Sequence, residues 1–207
     1  MRLASISAGV LTLGFVATSA SAQIGGLPVD YAPAGTGVSI QADFGRGLNN
    51  NSGKVNSIGG MVTLGLPMFQ ISAGVSDVDL SGAKEISFGG NVLYPLPIGG
   101  GAPVSVALAA GAGVLNSDIF VPAGVTLSLD VPSPALSITP WVSPQFRYIK
   151  FDAGGNDSGF GVSGGIKVGM PMGLGFQAAF DYNQPSKSLV LGVGAHFKVS
   201  APGMGGM

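Results

Sequence analysis

The sequence predicts an all-β protein, a membrane-spanning antiparallel up-and-down β-barrel of ten strands, with eight strands as the alternative. Three observations predict it. The 207-residue chain holds 36 glycines, is 46% hydrophobic and is only 9% charged, which is more usual for membrane proteins than for soluble domains. Apolar residues alternate with small or polar ones along most of the chain. Beyond the N-terminal segment, no run of about 18 apolar residues could form a membrane-spanning helix.

The charge balance and the absence of cysteine exclude several classes of protein. Nine basic residues against ten acidic ones leave no basic surface for a nucleic acid. A chain with no cysteine has no disulfide scaffold, no thiolate metal site and no cysteine nucleophile.

The first 22 residues have the pattern of a cleaved secretory signal peptide. Arg2 precedes an apolar stretch from about Ala8 to Ala17, and Ala20-Ser21-Ala22 places small residues where a signal peptidase reads them. The alternative, a membrane anchor, needs a longer apolar core and a basic flank after it. We therefore expect cleavage before Gln23, a periplasmic N-terminal segment over 23–36, a barrel over 37–199 and a flexible tail over 200–207.

Ten segments alternate with a period of two residues, each with one apolar row and one small or polar row. A tilted membrane-spanning strand needs about 9–11 residues, so the spacing of the segments fits a barrel with modest loops. The region Ile119–Tyr148 is the least regular, and different pairing there would give eight strands. The apolar rows begin at Val38, Ile58, Phe69, Ile86, Val104, Val125, Leu136, Phe160, Leu174 and Leu189.

The connections between these segments are of two kinds. Every second one is a short, uncharged turn that contains proline, and the turns between them carry charge. Short turns at one end and polar loops at the other are typical of outer-membrane barrels, which places the proline turns in the periplasm. The proline turns are Leu66–Met68, Tyr94–Pro97, Val131–Pro134 and Met170–Met172, and the charged loops include Arg46–Lys54, Asp77–Glu85 and Lys150–Ser158.

The position of the charges favours a membrane barrel over a soluble β-sandwich or lipocalin-like barrel. No charge interrupts an apolar row in the middle of a strand, where a basic residue facing lipid would cost about 2–4 kcal/mol. A soluble barrel keeps its charges on the outer, solvated face and makes nearly every turn polar. Here the polar row consists mostly of Gly, Ser, Thr and Ala.

Taken together, the signal peptide, the alternating strands, the proline turns and the C-terminal strand Leu189–Phe197 resemble the small bacterial outer-membrane β-barrel domains, the OmpA-like and OmpX-like porin-type barrels. The resemblance covers about residues 36–199 and is one of pattern. Such proteins usually end on an aromatic residue that the assembly machinery reads, whereas Phe197 is followed by Lys198–Met207. The resemblance implies a Gram-negative outer-membrane protein, exported across the inner membrane, whose partners are outer-membrane lipid and the barrel assembly machinery.

The candidate site residues fall into two groups. Charges of both signs on the polar rows would face the lumen, where they could pair with each other or act as a selectivity filter. Charges at the other end would form a solvated loop face or bind a divalent cation. The lumen-facing group is Asp43, Asp130, Arg147, Lys167, Asp181, His196 and Lys198. The outer-loop group is Lys54, Asp77, Asp79, Lys84, Glu85, Asp118, Lys150, Asp152, Asp157 and Lys187.

The sequence shows no catalytic, cofactor or metal motif. Gly159–Gly164 matches the dinucleotide pattern G-x-G-x-x-G, but the alternation runs through it and no helix follows. His196 is the only histidine, with no evident catalytic partner and no second ligand for a metal. We therefore expect no enzyme activity, no cofactor and no metal.

The orientation of Trp141 stays open. Strict alternation from Leu136 points it inward and leaves Pro140 and Pro144 facing lipid, whereas a β-bulge between Thr139 and Ser143 would turn it outward.

Three hypotheses of function follow. The first is a monomeric, non-catalytic envelope protein with a narrow passive channel for small solutes, because glycines on the lumenal row leave space that larger side chains would fill. The second is surface binding through the charged loops, and the third, with least support, is an outer-membrane hydrolase. The glycines in question include Gly59, Gly65, Gly74, Gly89, Gly111, Gly165, Gly175, Gly192 and Gly194.

Overall fold

Ten β-strands form the protein. The computed structural model describes residues 24–28, 31–49, 55–80, 83–97, 104–184 and 186–199, so the predicted signal peptide, Lys54 and the predicted tail lie outside the described residues. The strands are β1 Gly37–Gly47, β2 Asn56–Gly65, β3 Gln70–Leu80, β4 Ala83–Leu96, β5 Val104–Leu115, β6 Asp118–Leu129 (continued after Asp130 by Val131–Pro132), β7 Ser137–Lys150, β8 Asn156–Gly169, β9 Leu174–Asn183 and β10 Ser188–Val199.

The strands close into an antiparallel up-and-down barrel. Each strand pairs with its neighbours in the chain, and β1 pairs with β10 from Val38 opposite Val199 to Gly47 opposite Val190. This confirms the predicted ten-stranded barrel. The eight-strand alternative is wrong because the irregular region pairs as β6 with β7, in one register from Ile119 opposite Lys150 to Pro132 opposite Ser137.

The alternation of the sequence becomes an apolar outer surface and an interior of mostly small and polar residues, with two buried apolar clusters that include Leu93, Trp141 and Phe120. Ile58 and Phe160 are each 65% exposed, whereas Ser57 and Ser163 on the neighbouring rows are buried. An apolar surface that surrounds the whole barrel needs lipid rather than water around it, because water would leave this area unburied. The chain is therefore a transmembrane β-barrel.

The described residues contain one short helical element, the 3₁₀ turn Pro171–Gly173, where Met172 has φ 73°. No helix in the described ranges has the length and apolar character that a membrane crossing requires.

The two ends of the barrel differ. The proline turns over 66–69, 133–136 and 170–173 lie where β1 begins, and we call this the turn end. The described connecting residues 48–49, 55, 116–117, 151–155, 184 and 186–187 lie at the opposite, loop end. The predicted charged loop Asp77–Glu85 is wrong, because β3 and β4 pair as far as Leu80 opposite Ala83. Asp77, Asp79, Lys84 and Glu85 are strand residues at the loop end.

The seam between β6 and β7 resolves the orientation of Trp141. Pairing is interrupted between Gly124 opposite Gln145 and Leu127 opposite Val142, but the register is the same on both sides. The seam therefore has no bulge, and Trp141 points inward, 5% exposed, as strict alternation predicts.

The segment before β1 lies inside the barrel. Ile24, Leu27, Tyr31 and Ala32 are buried and share one cluster with inward-facing Trp141. The expected periplasmic placement of residues 23–36 is thus corrected for the described residues 24–28 and 31–34, which pack against the lumenal rows. The physical reason is that Ile24, Leu27 and Tyr31 are apolar or aromatic, and the barrel interior removes them from water.

Candidate functional site in the barrel lumen

The described N-terminal segment begins with a tight turn, residues 24–27, and three serines bind this turn to the barrel wall. Leu27 N–H donates to the Ile24 carbonyl over 3.1 Å, and Gly26 has φ 69°, which glycine adopts without steric cost. The three serines, Ser57, Ser76 and Ser87, lie side by side on the inward rows of β2, β3 and β4. Because their hydroxyls are directed at backbone groups of the turn, they satisfy polar groups that would otherwise be buried without partners.

The hydrogen bonds of the turn involve both its glycines. Gly25 N–H donates to Ser87 Oγ over 2.7 Å, and Ser76 Oγ donates to the Gly25 carbonyl over 2.9 Å. Ser57 Oγ donates to the Gly26 carbonyl. The turn is therefore bound to strands near the loop end of the barrel.

Lumenal glycines make room for this segment. A Cβ at Gly59 would lie 2.7 Å from Leu27 Cδ1, one at Gly74 would lie 2.7 Å from Ile24 Cδ1, and one at Gly192 would lie 2.5 Å from Pro28 Cδ. From the sequence alone, these glycines predict open space for a narrow channel. The structure corrects this prediction: at these three positions the space is occupied by the segment itself.

Tyr31 connects the middle of the segment to β7. Its ring lies edge-on to Trp141, with the centroids 5.9 Å apart and an interplanar angle of 62°. An aromatic pair in this geometry contributes about 0.5–1.5 kcal/mol beyond its buried area.

Where the segment reaches the turn end, two side chains hold Ala34. The Ala34 N–H donates to Gln70 Oε1 over 2.6 Å, and Lys198 Nζ donates to the Ala34 carbonyl over 2.5 Å. The segment is thus held at both ends and in the middle, and it runs along the lumen from the turn end toward the loop end.

A buried ion pair crosses the lumenal face of three strands. Arg147 on β7 contacts both carboxylate oxygens of Asp181 on β9, with Nη2–Oδ1 at 2.6 Å and Nη1–Oδ2 at 3.0 Å. Ser163, on β8 between them, donates to Asp181 Oδ1 over 2.5 Å and accepts from Arg147 over 3.1 Å. The geometry is the bidentate one in which arginine binds a carboxylate most strongly.

Asp43 forms a second buried network. Gln41 Nε2 donates to its Oδ2 over 2.7 Å, and Gln177 Nε2 of β9 donates to its Oδ1 over 2.8 Å. The two amides come from β1 and β9, the strands on either side of β10, so Asp43 links β1 to β9 across β10. Such a network holds neighbouring strands in one register.

The remaining lumenal candidates gather at the turn end. Lys167, His196 and Lys198 line a cavity of about 300 Å³, together with Asp130. Asp130 is exposed at the rim, where it accepts a 3.5 Å hydrogen bond from Thr139, whereas His196 is buried. The predicted lumenal charges therefore lie in three places: two buried networks inside the barrel and the cavity at the turn end.

The outer-loop candidates do not form one cluster. Asp77, Asp79 and Lys84 lie on outward rows of β3 and β4, while Glu85 lies on an inward row. Asp118 accepts a 2.8 Å hydrogen bond from the backbone of Asp152. The others are exposed in connections or at strand ends, namely Lys150, Asp157 and Lys187. Within the described ranges, no three His, Asp or Glu side chains converge as metal ligands.

Sequence reasoning missed the role of residues 24–34. The available signal was Ile24, Leu27 and Tyr31, three residues that favour burial in a segment expected to lie in water. Alternation could not reveal their contacts, because it applies to strands, and this segment is not part of the barrel wall.

Comparison with known proteins shows likeness of fold alone. No family model and no curated protein matches the sequence. Among solved structures, LpxR from Salmonella typhimurium has a TM-score of 0.51 at 10% identity, over 82% of this chain and 85% of that one. The KdgM porin in complex with disordered oligogalacturonate has a TM-score of 0.50 at 10% identity, over 78% and 99%. The predicted resemblance to OmpA-like barrels in particular has no family model in its support.

Proposed function

We propose that this protein is a non-catalytic outer-membrane barrel that forms a narrow channel for small solutes, and that residues 24–34 close the channel at rest. One observation carries the proposal: the N-terminal segment lies along the lumen and is held at both ends by wall side chains. Ser57, Ser76 and Ser87 bind its turn, and Gln70 and Lys198 bind Ala34. We refer to the described residues 24–28 and 31–35 as the plug.

The outer-membrane location is supported by the apolar exterior and by the architecture. Closed antiparallel barrels satisfy every backbone group internally, which is the condition for crossing a membrane with strands. Up-and-down barrels with an even number of strands are characteristic of bacterial outer membranes. The predicted signal peptide supplies the export step that this location requires.

A channel function is supported by how the plug is held. Its turn contacts the wall through neutral hydrogen bonds, each worth about 0.5–1.5 kcal/mol net. The wall behind the turn carries Ser57, Ser76 and Ser87, beside an apolar cluster that includes Leu93 and Trp141. Displacement of the plug would therefore leave a lumen lined in part by polar groups. A side-chain core of the usual apolar kind would leave no such path.

A reversible lock tests the proposal. The chain has no native cysteine, so Gly25→Cys with Ser87→Cys forms a single defined pair; a Cβ at Gly25 lies 3.0 Å from Ser87 Cβ. Relaxation of about 0.5 Å or more brings this pair to disulfide distance. In planar bilayers we expect channel openings of the reduced protein to disappear on oxidation and to return on reduction.

The single variants Gly25→Cys and Ser87→Cys are the matched controls, and oxidation should leave their conductance unchanged. A variant without residues 24–34 should conduct continuously, provided heat-modifiable migration on a gel shows that it is folded. Equal conductance of the oxidised and reduced double variant would contradict the proposal. Silence of all variants would leave an envelope protein without a channel.

Surface binding through loops has less support. The β5–β6 connection is the two-residue turn Asn116–Ser117, whose positive φ angles of 49° and 68° suit a tight hairpin. The described connections at this end offer little area for a partner.

A further inference from the structure

We propose that the cavity at the turn end of the barrel binds a small anionic solute through a phosphate or carboxylate group. The cavity has a volume of about 300 Å³ and is bounded on one side by the plug at Pro33–Gly35. Its wall carries Lys167, His196 and Lys198, faced by the single carboxylate of Asp130.

The two lysines are brought together from different strands. Lys167 lies on β8 and Lys198 on β10, and both side chains line the same cavity. Two like charges on one small cavity repel, and an anion between them replaces the repulsion with attraction. In a chain with a formal net charge of −1, such a concentration of positive charge is a local feature of this mouth.

Hydroxyl groups complete the cavity wall. Ser39 of β1 and Ser137 and Thr139 of β7 line it. Oxyanions accept several hydrogen bonds at once, and charged donors together with hydroxyls give shorter and stronger bonds than neutral donors alone. The donor set therefore suits a phosphate or carboxylate better than a neutral sugar or an apolar molecule.

The position of the cationic groups favours a dissolved solute over a lipid headgroup. Lys167, His196 and Lys198 all lie on inward rows, and the outward rows beside them carry Val168, Phe197 and Val199. An anionic headgroup would lie outside this wall. The cavity opens at the turn end, so the anion reaches it from the compartment on that side.

The same cavity touches the plug. Lys198 donates to the Ala34 carbonyl, and Ala34 and Gly35 line the cavity. An anion that attracts the Lys198 ammonium competes with this hydrogen bond. If the barrel is a channel, as proposed above, anions are the solutes that it would pass. The binding of an anion to the cavity does not depend on the channel.

Isothermal titration calorimetry tests the site. Inorganic phosphate is added to the purified full-length mature chain in neutral detergent, with chloride at equal ionic strength as the reference. We expect saturable phosphate binding, weakened about tenfold or more in Lys167→Gln and in Lys198→Gln, as the loss of one charged hydrogen bond implies. Asp130→Asn should tighten binding, because it removes the opposing carboxylate.

Lys150→Gln is the matched control, since it removes the same charge from an exposed position at the loop end of β7. Its phosphate affinity should equal that of the unchanged protein. The proposal is overturned by phosphate heats no different from those of chloride, or by equal weakening in Lys150→Gln and Lys167→Gln. Competition by phosphatidylglycerol in the micelle would overturn the assignment to a dissolved solute.

The binding test and the channel test fail separately. Phosphate binding by a protein whose conductance does not respond to oxidation of the cysteine pair would reject the channel and keep the anion site. Conductance that disappears on oxidation, without any phosphate binding, would reject the anion site and keep the plugged channel.

Discussion

Tyr31 of the N-terminal segment and Trp141 of β7 form an edge-to-face pair in the lumen, with ring centroids 5.9 Å apart. Trp141 is the only tryptophan in the chain. Its fluorescence therefore reports on the contact between the plug and the barrel wall, because removal of the plug replaces an aromatic neighbour with water.

Tyr31→Ala should expose Trp141 to water. We expect a red shift of its emission and stronger quenching by iodide, because the ring that covers it is removed and the plug loses about 0.5–1.5 kcal/mol of aromatic contact. Tyr94→Ala is the control, since Tyr94 lies on the outward row of β4 and is exposed. Identical spectra of Tyr31→Ala and the unchanged protein would contradict the observed pairing.

Breaking the Arg147–Asp181 pair should destabilise the barrel strongly. Both side chains are at most 4% exposed, and removal of one partner from a buried pair costs about 3–5 kcal/mol because the other charge stays buried. We expect this loss in the free energy of unfolding of Asp181→Asn, measured by urea denaturation in detergent or lipid vesicles.

The double variant Arg147→Gln/Asp181→Asn measures the interaction between the two side chains apart from their other contacts. Because neither charge is then left alone, its loss should be smaller than the sum of the two single losses, by about 0.5–3 kcal/mol. Simple additivity would mean that the two residues act independently.

Gly192→Ala should displace the plug. The added Cβ would lie 2.5 Å from both Cγ and Cδ of Pro28, whose ring cannot rotate away. We expect a higher frequency of channel opening in planar bilayers. Gly60→Ala is the matched control, because Gly60 lies on the outward row of β2 and its nearest described neighbour is Gln41 O at 3.2 Å. Equal opening frequencies in the two variants would argue against a role of the plug in closure.

A lysine on the outward row of β3 should be tolerated at the loop end and not at mid-strand. Val75→Lys places a basic group at the centre of the strand, where the cost is about 2–4 kcal/mol, whereas Asp79→Lys at the strand end should cost about 0–1 kcal/mol. The free energy of unfolding in lipid vesicles measures both. Equal costs would place the membrane boundary elsewhere on β3.

The alternation of apolar and polar residues in the sequence determined most of the fold. Because side chains on a strand point alternately to its two faces, a lipid-facing row must be apolar along its whole length, and such a row is visible in the sequence. The rows starting at Val38 and Leu189 identified the first and last strands, which close the barrel. The β3–β4 hairpin is longer than the alternation indicates: Asp77 and Asp79 continue β3 because charges are allowed on an outward row beyond the hydrocarbon.

What fills the lumen was decided by the tertiary structure alone. A row of small residues is equally compatible with an empty channel and with a channel that holds another segment, since glycine provides space and does not specify the occupant. Gly59 and Gly74 are opposite Leu27 and Ile24 only because the chain before β1 folds back into the barrel. Pairing of Arg147 with Asp181 likewise depends on β8 lying between β7 and β9. Arg147 is opposite Gly159 of β8 and Asp181 is opposite Ser163, so the long arginine side chain spans this offset. The sequence by itself determined a transmembrane barrel with a row of small residues inside. Contacts between residues far apart in the chain decided that its own N-terminal segment occupies that space.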